Sequence, residues 1–143
     1  MDGKDLVKKV KEDNVKFISL QFTDVMGAVK SLDMPVRHLE DVAKDGAWFD
    51  GSSVEGFARI QESDMRLKID PETYAVLPWS ADDSKRARVF CDIFTPGGEP
   101  FEGDPRGVLR RVLKRAQAMG LRFYTSSEPE FFLFRKQDGA EPV

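Results

Sequence analysis

The sequence has one cysteine and one histidine in 143 residues. A single cysteine, Cys91, excludes a framework of intrachain disulfides and is typical of proteins of a reducing cytoplasm. The single histidine, His38, has no partner at the spacing of metal ligands, so we assign it no role. Neither residue type therefore indicates a disulfide-bonded extracellular domain or a zinc site.

Long apolar runs and a large excess of one charge are also absent. No stretch approaches the roughly 20 apolar residues of a membrane-spanning helix. Residues 1–14 contain no apolar segment of the kind found in signal peptides. The 22 basic and 25 acidic residues give a net charge of −3, which offers no electrostatic basis for binding nucleic acid or an anionic membrane. We therefore expect a cytoplasmic protein that binds neither.

Residues 1–95 show the pattern of an α+β domain. Apolar residues at helical spacing predict two helices, and alternating or short apolar runs predict about five strands. The predicted helices cover residues 2–13 and 36–44, and the predicted strands cover residues 16–22, 28–34, 65–70, 74–79 and 88–94. We expect the first two strands to form a β-hairpin, and Cys91 to be a small buried apolar residue on the last strand.

Residues 95–104 are rich in glycine, proline and acid, which predicts a domain boundary. Asp104 and Pro105 then predict the start of a strong helix, which ends at Gly120. We interpret its basic residues mostly as a solvated face; they are Arg106, Arg110, Arg111, Lys114 and Arg115. Residues 122–134 predict a long strand that is covered on both faces, because residues 131–134 are all apolar. One helix and one strand cannot bury these faces, so we expect a fragment: a complete small domain and the beginning of a larger one.

The stretch Trp48 to Leu67 contains the first candidate site. Two aromatic residues precede the turn sequence Asp50-Gly51-Ser52-Ser53. An Asp-Gly pair favours a tight turn, and a carboxylate next to two hydroxyl groups on such a turn is a plausible binding loop. The alternative is a surface turn in which these side chains only cap backbone amides.

Glu128-Pro129-Glu130 contains the second candidate site. On a strand, residues two apart share a face and lie about 6.6 Å apart. Two carboxylates so placed repel each other, and a divalent cation with oxygen ligands, such as Mg²⁺, Mn²⁺ or Ca²⁺, would relieve the repulsion. The alternative is an exposed strand end with solvated acids.

The order and spacing of these two motifs resemble the glutamine synthetase family. The matching features are an aromatic pair before Asp-Gly-Ser-Ser, Glu62-Ser63-Asp64 with Leu67, and Glu-x-Glu before phenylalanines. The stretch Phe101 to Arg106 also resembles the family, and Glu55 to Arg59 resembles a subgroup of its type I bacterial and archaeal members. The resemblance implies a β-grasp (ubiquitin-like) domain in residues 1–101, followed by the first helix and strand of an α/β catalytic domain in residues 104–143.

The resemblance also implies roles for individual residues. Asp50 corresponds to the acid that binds ammonium and takes its proton, and Ser53 to a loop residue that supports it. Glu128 and Glu130 correspond to ligands of two metal ions, Mg²⁺ or Mn²⁺. Arg59 corresponds to a residue that takes part in inhibition by glutamine, although a surface arginine paired with an acid is an equal alternative.

For the full-length protein, the resemblance implies L-glutamate, ammonium and ATP as substrates and an assembly of twelve subunits in two rings. Asp50 of one subunit would complete a site begun by the glutamates of its neighbour. Two alternatives stay open at this point: a γ-glutamyl–amine ligase of the same superfamily, and a non-catalytic β-grasp interaction module. Because most of the site would lie beyond residue 143, we expect the fragment alone to be inactive.

Overall fold

The computed structural model describes residues 1–54 and 64–134. Three helices and six strands are found there, with short 3₁₀ turns between some of them. The helices are α1 (Gly3–Glu12), α2 (Leu39–Asp45) and α3 (Pro105–Ala118), and the strands are β1 (Phe17–Thr23), β2 (Val29–Pro35), β3 (Ala47–Asp50), β4 (Asp64–Ile69), β5 (Ala75–Val76) and β6 (Arg86–Phe94). None of the helices in this part of the chain is long and apolar enough to cross a membrane.

The six strands form one mixed sheet in the order β2-β1-β6-β4-β3, with the short β5 also paired to β6. β1 and β6 are parallel, whereas the other pairs are antiparallel. β1 and β6, the first and the last of these strands along the chain, therefore lie side by side at the centre of the sheet. This mixed sheet, with helices packed on it, confirms the predicted α+β class.

The core lies between the sheet and the first two helices. From Ala87 onwards, β6 alternates between buried and partly buried residues, and its inward side chains include Val89, Cys91 and Ile93. Leu6 and Val10 of α1 and Leu39 of α2 are buried in the same apolar cluster. Cys91 is fully buried, as expected, and its burial raises the pKa of the thiol to about 12.

The local signals at the N-terminal half are confirmed. Asp2 caps α1, and its side chain and that of Asp5 each accept a hydrogen bond from the other's backbone amide. β1 and β2 form the predicted hairpin. Its turn is held by the buried Asp24, whose carboxylate accepts hydrogen bonds from the amides of Met26 and Ala28.

Three strand predictions need correction. Residues 47–50 form β3, which pairs with β4, although we expected only two aromatic residues and a turn there. The predicted strand 74–79 is reduced to two residues, because Pro78 cannot continue the ladder. The predicted strand 122–134 is wrong: these residues form no regular structure, and Phe131, Phe132 and Leu133 are exposed. A strand needs a partner to pair with, and the described residues supply none.

The segment between β6 and α3 is tied to the sheet. The amide of Phe101 donates to the Ile93 carbonyl at 2.9 Å, and the amide of Ile93 donates to the Asp104 carboxylate at 3.3 Å. Asp104 also accepts from the amide of Arg106 and so caps α3, as predicted. The chain therefore passes from the sheet into α3 through a hydrogen-bonded turn. The domain boundary itself stays a prediction.

Candidate active-site loop and metal-binding segment

The Asp50 turn is positioned by the edge strand β3. Gly46 precedes that strand with a φ of +79°, and a Cβ atom there would lie 2.7 Å from the Leu67 carbonyl oxygen. Only glycine fits this conformation and this close approach. Phe49 then packs against the core, with its ring centroid 4.9 Å from that of Phe22. At the end of the strand, Asp50 lies opposite Asp64 in the register of β3 with β4.

The Asp50 carboxylate is held by both serines of the turn. It accepts hydrogen bonds from the Ser52 amide at 2.9 Å, the Ser52 hydroxyl at 2.7 Å and the Ser53 hydroxyl at 3.1 Å. The Ser52 hydroxyl, the Ser52 amide and the Ser53 hydroxyl together lower the pKa of Asp50. The side chain is exposed, so this carboxylate is an oriented anion that a small cation can reach.

The turn thus contains the local geometry of both interpretations made from the sequence. Asp50 caps a backbone amide, as a purely structural turn would require. Two oriented hydroxyls on the same carboxylate also fix its rotamer, which a turn alone does not need. Arg59 lies outside the described residues, so its assigned role stays a prediction.

Glu128 and Glu130 lie on the irregular segment after α3. Both are exposed, and within residues 1–54 and 64–134 neither carboxylate makes a hydrogen bond or an ion pair. The shared strand face that we predicted for them is absent, because the segment is not a strand. Their oxygens are nevertheless free to bind a hard cation. In the same residues, no group of three or more acidic, histidine or cysteine side chains forms a metal site.

The structure therefore brings Asp50, Ser52 and Ser53 together, and residues 1–54 and 64–134 add no third ligand to the glutamate pair. It also reveals a polar cluster that the sequence interpretation missed. Arg106 and Arg110, assigned to a solvated face, form ion pairs with Asp70 and Asp92 of the sheet. The spacing of the two arginines by one helical turn signalled a shared face. Their partners, far away in sequence, carried no comparable signal.

Two family models match the chain. The glutamine synthetase β-grasp domain matches residues 14–96, and the glutamine synthetase catalytic domain matches residues 102–142. Among curated proteins, the glutamine synthetase of Staphylococcus epidermidis RP62A is 49% identical over 97% of this chain and 31% of the relative. That of Thermotoga maritima is 50% identical over 94% of this chain and 30% of the relative. The chain thus spans about a third of the length of the curated relatives it matches.

Solved structures show the same fold. A structure described as apo GmaS without ligand superposes with a TM-score of 0.73 at 29% identity, over 81% of this chain and 27% of the other. A cryo-EM structure of Plasmodium falciparum glutamine synthetase superposes with a TM-score of 0.74 at 20% identity, over 84% of this chain and 23% of the other. The second likeness concerns the fold alone. The family model and these superpositions confirm the β-grasp assignment.

Proposed function

The chain belongs to the glutamine synthetase family, and on that premise we propose that it forms the N-terminal part of an ATP-dependent glutamate–ammonia ligase. The reaction joins ammonia to the side-chain carboxylate of L-glutamate through γ-glutamyl phosphate. The observation that carries the proposal is the Asp50 carboxylate, exposed and held by three hydrogen bonds at the turn that the family resemblance singles out.

Asp50 binds ammonium and takes its proton. Ammonium is a cation and becomes a nucleophile only after it loses a proton. Hydrogen bonds from Ser52 and then Ser53 lower the pKa of Asp50 and so stabilise its charged form, which favours binding of the cation. Deprotonation is then coupled to attack of the nitrogen on γ-glutamyl phosphate, from which inorganic phosphate leaves. Ser53 supports this carboxylate through its hydroxyl group.

Glu128 and Glu130 supply two of the ligands for divalent metal ions, Mg²⁺ or Mn²⁺. Their carboxylates suit such cations by donor type and are not engaged by other described side chains. Metal ions at this place would neutralise charge on the phosphoryl group of ATP during transfer. Further ligands and the nucleotide pocket would come from the longer protein.

We propose that the longer protein assembles as a dodecamer of two rings, in which Asp50 of one subunit faces Glu128 and Glu130 of the next. A γ-glutamyl–amine ligase is not favoured, because curated relatives at about 50% identity are named glutamine synthetase. A non-catalytic β-grasp module is not favoured either, because the catalytic-domain model matches residues 102–142.

The test begins with single variants of the full-length protein. Asp50→Asn keeps the size and the turn-forming side chain but removes the negative charge. We expect it to assemble normally and to lose the ammonia-dependent step, while formation of γ-glutamyl phosphate is affected less. Glu130→Ala should weaken binding of Mn²⁺ or Mg²⁺. Asp83→Asn, the same change at an exposed acid in another turn, is the matched control and should behave as the unaltered protein.

Subunits that carry only Asp50→Asn, co-assembled with subunits that carry only Glu130→Ala, should regain part of the activity. Each mixed interface of the right order joins an intact loop to an intact metal site. Verified co-assembly without any gain in activity would rule out the shared site.

The role of Arg59 in inhibition by glutamine is a separate part of the proposal. Full-length Arg59→Ala should need more glutamine for half-maximal inhibition, with its activity in the absence of glutamine retained. Unchanged sensitivity to glutamine would assign Arg59 to the surface ion pair that is its alternative.

A further inference from the structure

Four charged side chains form a closed ion-pair cluster between α3 and the sheet, here called the clamp: Asp70, Asp92, Arg106 and Arg110. The Arg106 guanidinium contacts Asp92 and Asp70, each at 2.5 Å. The Arg110 guanidinium contacts Asp70 at 2.7 Å and also pairs with Asp92. Each arginine thus bridges both carboxylates, an arrangement that fixes direction as well as distance.

The clamp is partly buried and its charges balance. The side chains of Asp70, Asp92 and Arg106 are only 18–24% exposed. Burial alone would raise the pKa of Asp70, but Arg106 and then the Glu72 amide and Arg110 hold that pKa below its ordinary value. Because these side chains are partly buried, salt screens their ion pairs less than it screens pairs on the surface.

The clamp joins the two parts of the chain that match different family models. Asp70 and Asp92 lie in residues 14–96, and both arginines lie in residues 102–142. Apolar packing does little to orient α3, because none of its residues is buried. Its apolar side chains Val108, Leu109 and Val112 are exposed. The direction of the helix against the sheet therefore depends mainly on the clamp and on the Asp104 cap.

Strand β4 connects the clamp to the Asp50 loop. Asp70 directly follows the strand, and its amide continues the ladder by donating to the Phe90 carbonyl. At the other end of β4, Asp64 lies opposite Asp50. Six residues of strand correspond to about 20 Å, so a rotation of about 3° at the clamp displaces the Asp50 loop by about 1 Å. A displacement of this size is enough to lower a reaction rate substantially.

We propose that the clamp is a positioning device for the ammonia-dependent step: Arg106 and Arg110 of α3 hold Asp70 and Asp92 so that β4 presents the Asp50 loop at the correct place in the neighbouring site. The inference rests on the proposed function of Asp50. In this proposal none of the four clamp residues contacts a substrate, so all four act through the position of Asp50.

The test compares two arginines of α3 in the full-length enzyme. Arg110→Gln removes two of the four ion pairs at the more exposed end of the clamp. Arg111→Gln is the matched control, because among the described residues the Arg111 guanidinium donates only to the Glu102 carbonyl. We expect Arg110→Gln to raise the KM for ammonium and to lower kcat/KM for ammonium about tenfold, with the KM values for ATP and glutamate and the dodecameric assembly unchanged. Arg111→Gln should leave all of these values as they are.

Asp92→Asn provides a second route to the same loss from the sheet side. The double variant Asp92→Asn/Arg110→Gln should lose little more than the stronger single variant, because both changes open one clamp. Combined with Asp50→Asn, Arg110→Gln should add no further loss in kcat/KM for ammonium. A purely structural role would instead lower the thermal stability and the active fraction, and leave every KM unchanged.

The outcomes separate the two proposals. If Asp50→Asn leaves ammonium kinetics unchanged, the proposed function of Asp50 is wrong. If Asp50→Asn has its effect but Arg110→Gln matches Arg111→Gln, or adds its full loss to that of Asp50→Asn, the positioning role of the clamp is wrong and the function of Asp50 stands.

Discussion

The sheet part of the chain buries its large apolar side chains, whereas the part that follows it leaves them exposed. In residues 1–54 and 64–94, large apolar side chains such as Leu20, Leu67 and Ile93 are buried in one cluster. In residues 105–134, comparable side chains such as Val112, Phe132 and Leu133 are exposed. The second part also has no strand in spite of its strand-forming sequence. An apolar, β-forming sequence does not by itself make a strand, because pairing and burial must come from other residues.

Thiol reactivity should show the largest difference between the two parts. In the 143-residue chain with Ser126→Cys, the introduced thiol lies on the exposed segment and Cys91 is fully buried. We expect iodoacetamide to modify Cys91 at least about 1,000 times more slowly, because reaction there requires unfolding of the sheet. Peptide mass spectrometry over time measures both rates. Comparable rates would mean that residues 1–94 do not fold stably in this chain.

Truncation of apolar side chains should separate the parts next. Leu67→Ala creates a cavity beneath β4 and should reduce the free energy of unfolding by about 3 kcal/mol. Val112→Ala, at a side chain that is 55% exposed, should change it by less than about 0.5 kcal/mol. Urea unfolding followed by the fluorescence of Trp48 and Trp79 measures both. A similar loss from both variants would show that the face of α3 is buried in solution.

Two glycines with nearly the same φ angle give a narrower comparison. Gly46 has a φ of +79° and Gly120 a φ of +76°, but only at Gly46 would a Cβ atom meet another backbone atom. Gly46→Ala should therefore destabilise the sheet part by about 2 kcal/mol or more. Gly120→Ala should cost about 1 kcal/mol or less, confined to the end of α3. Equal effects on the midpoint of urea unfolding would contradict the close contact at Gly46.

Removal of one tyrosine hydroxyl group should give the smallest effect. The Tyr74 hydroxyl donates to Asp13 at 2.9 Å, so Tyr74→Phe should cost about 1 kcal/mol. Tyr124→Phe, at an exposed ring, should cost nothing measurable. The ion pair with Lys9, and then Tyr74, lower the pKa of Asp13. The stabilisation is therefore present above the ordinary carboxyl pKa and lost as the pH falls through the lowered one. A constant difference between Tyr74→Phe and the unaltered chain down to pH 2 would contradict this linkage.

Features that depend on neighbouring residues were predictable from the sequence. The capped helix α1, the β1–β2 hairpin and the start of α3 at Asp104 all follow from signals within a few residues. The Asp50 turn was predictable in the same way, because its hydrogen-bond partners, Ser52 and Ser53, lie within the next three residues.

Features that depend on distant residues were not predictable. β3 is a strand because β4 pairs with it, not because of its own four residues. Residues 122–134 have a strand-like sequence and no partner among the described residues. We assigned Arg106 and Arg110 to a solvated face because no residue near them in sequence indicates ion pairs with Asp70 and Asp92.

The parallel pairing of β1 with β6 has a consequence for synthesis on the ribosome. Phe17 lies opposite Arg86 at the centre of the sheet, so the sheet cannot close until the last strand has been made. At a rate of about 5–20 residues per second, the nascent β1–β2 hairpin waits about 3–12 seconds for its central neighbour. During that time the inner edge of β1 is open to any other extended chain. Neighbouring nascent chains on the same polysome are therefore the first chains with which this open edge can mispair.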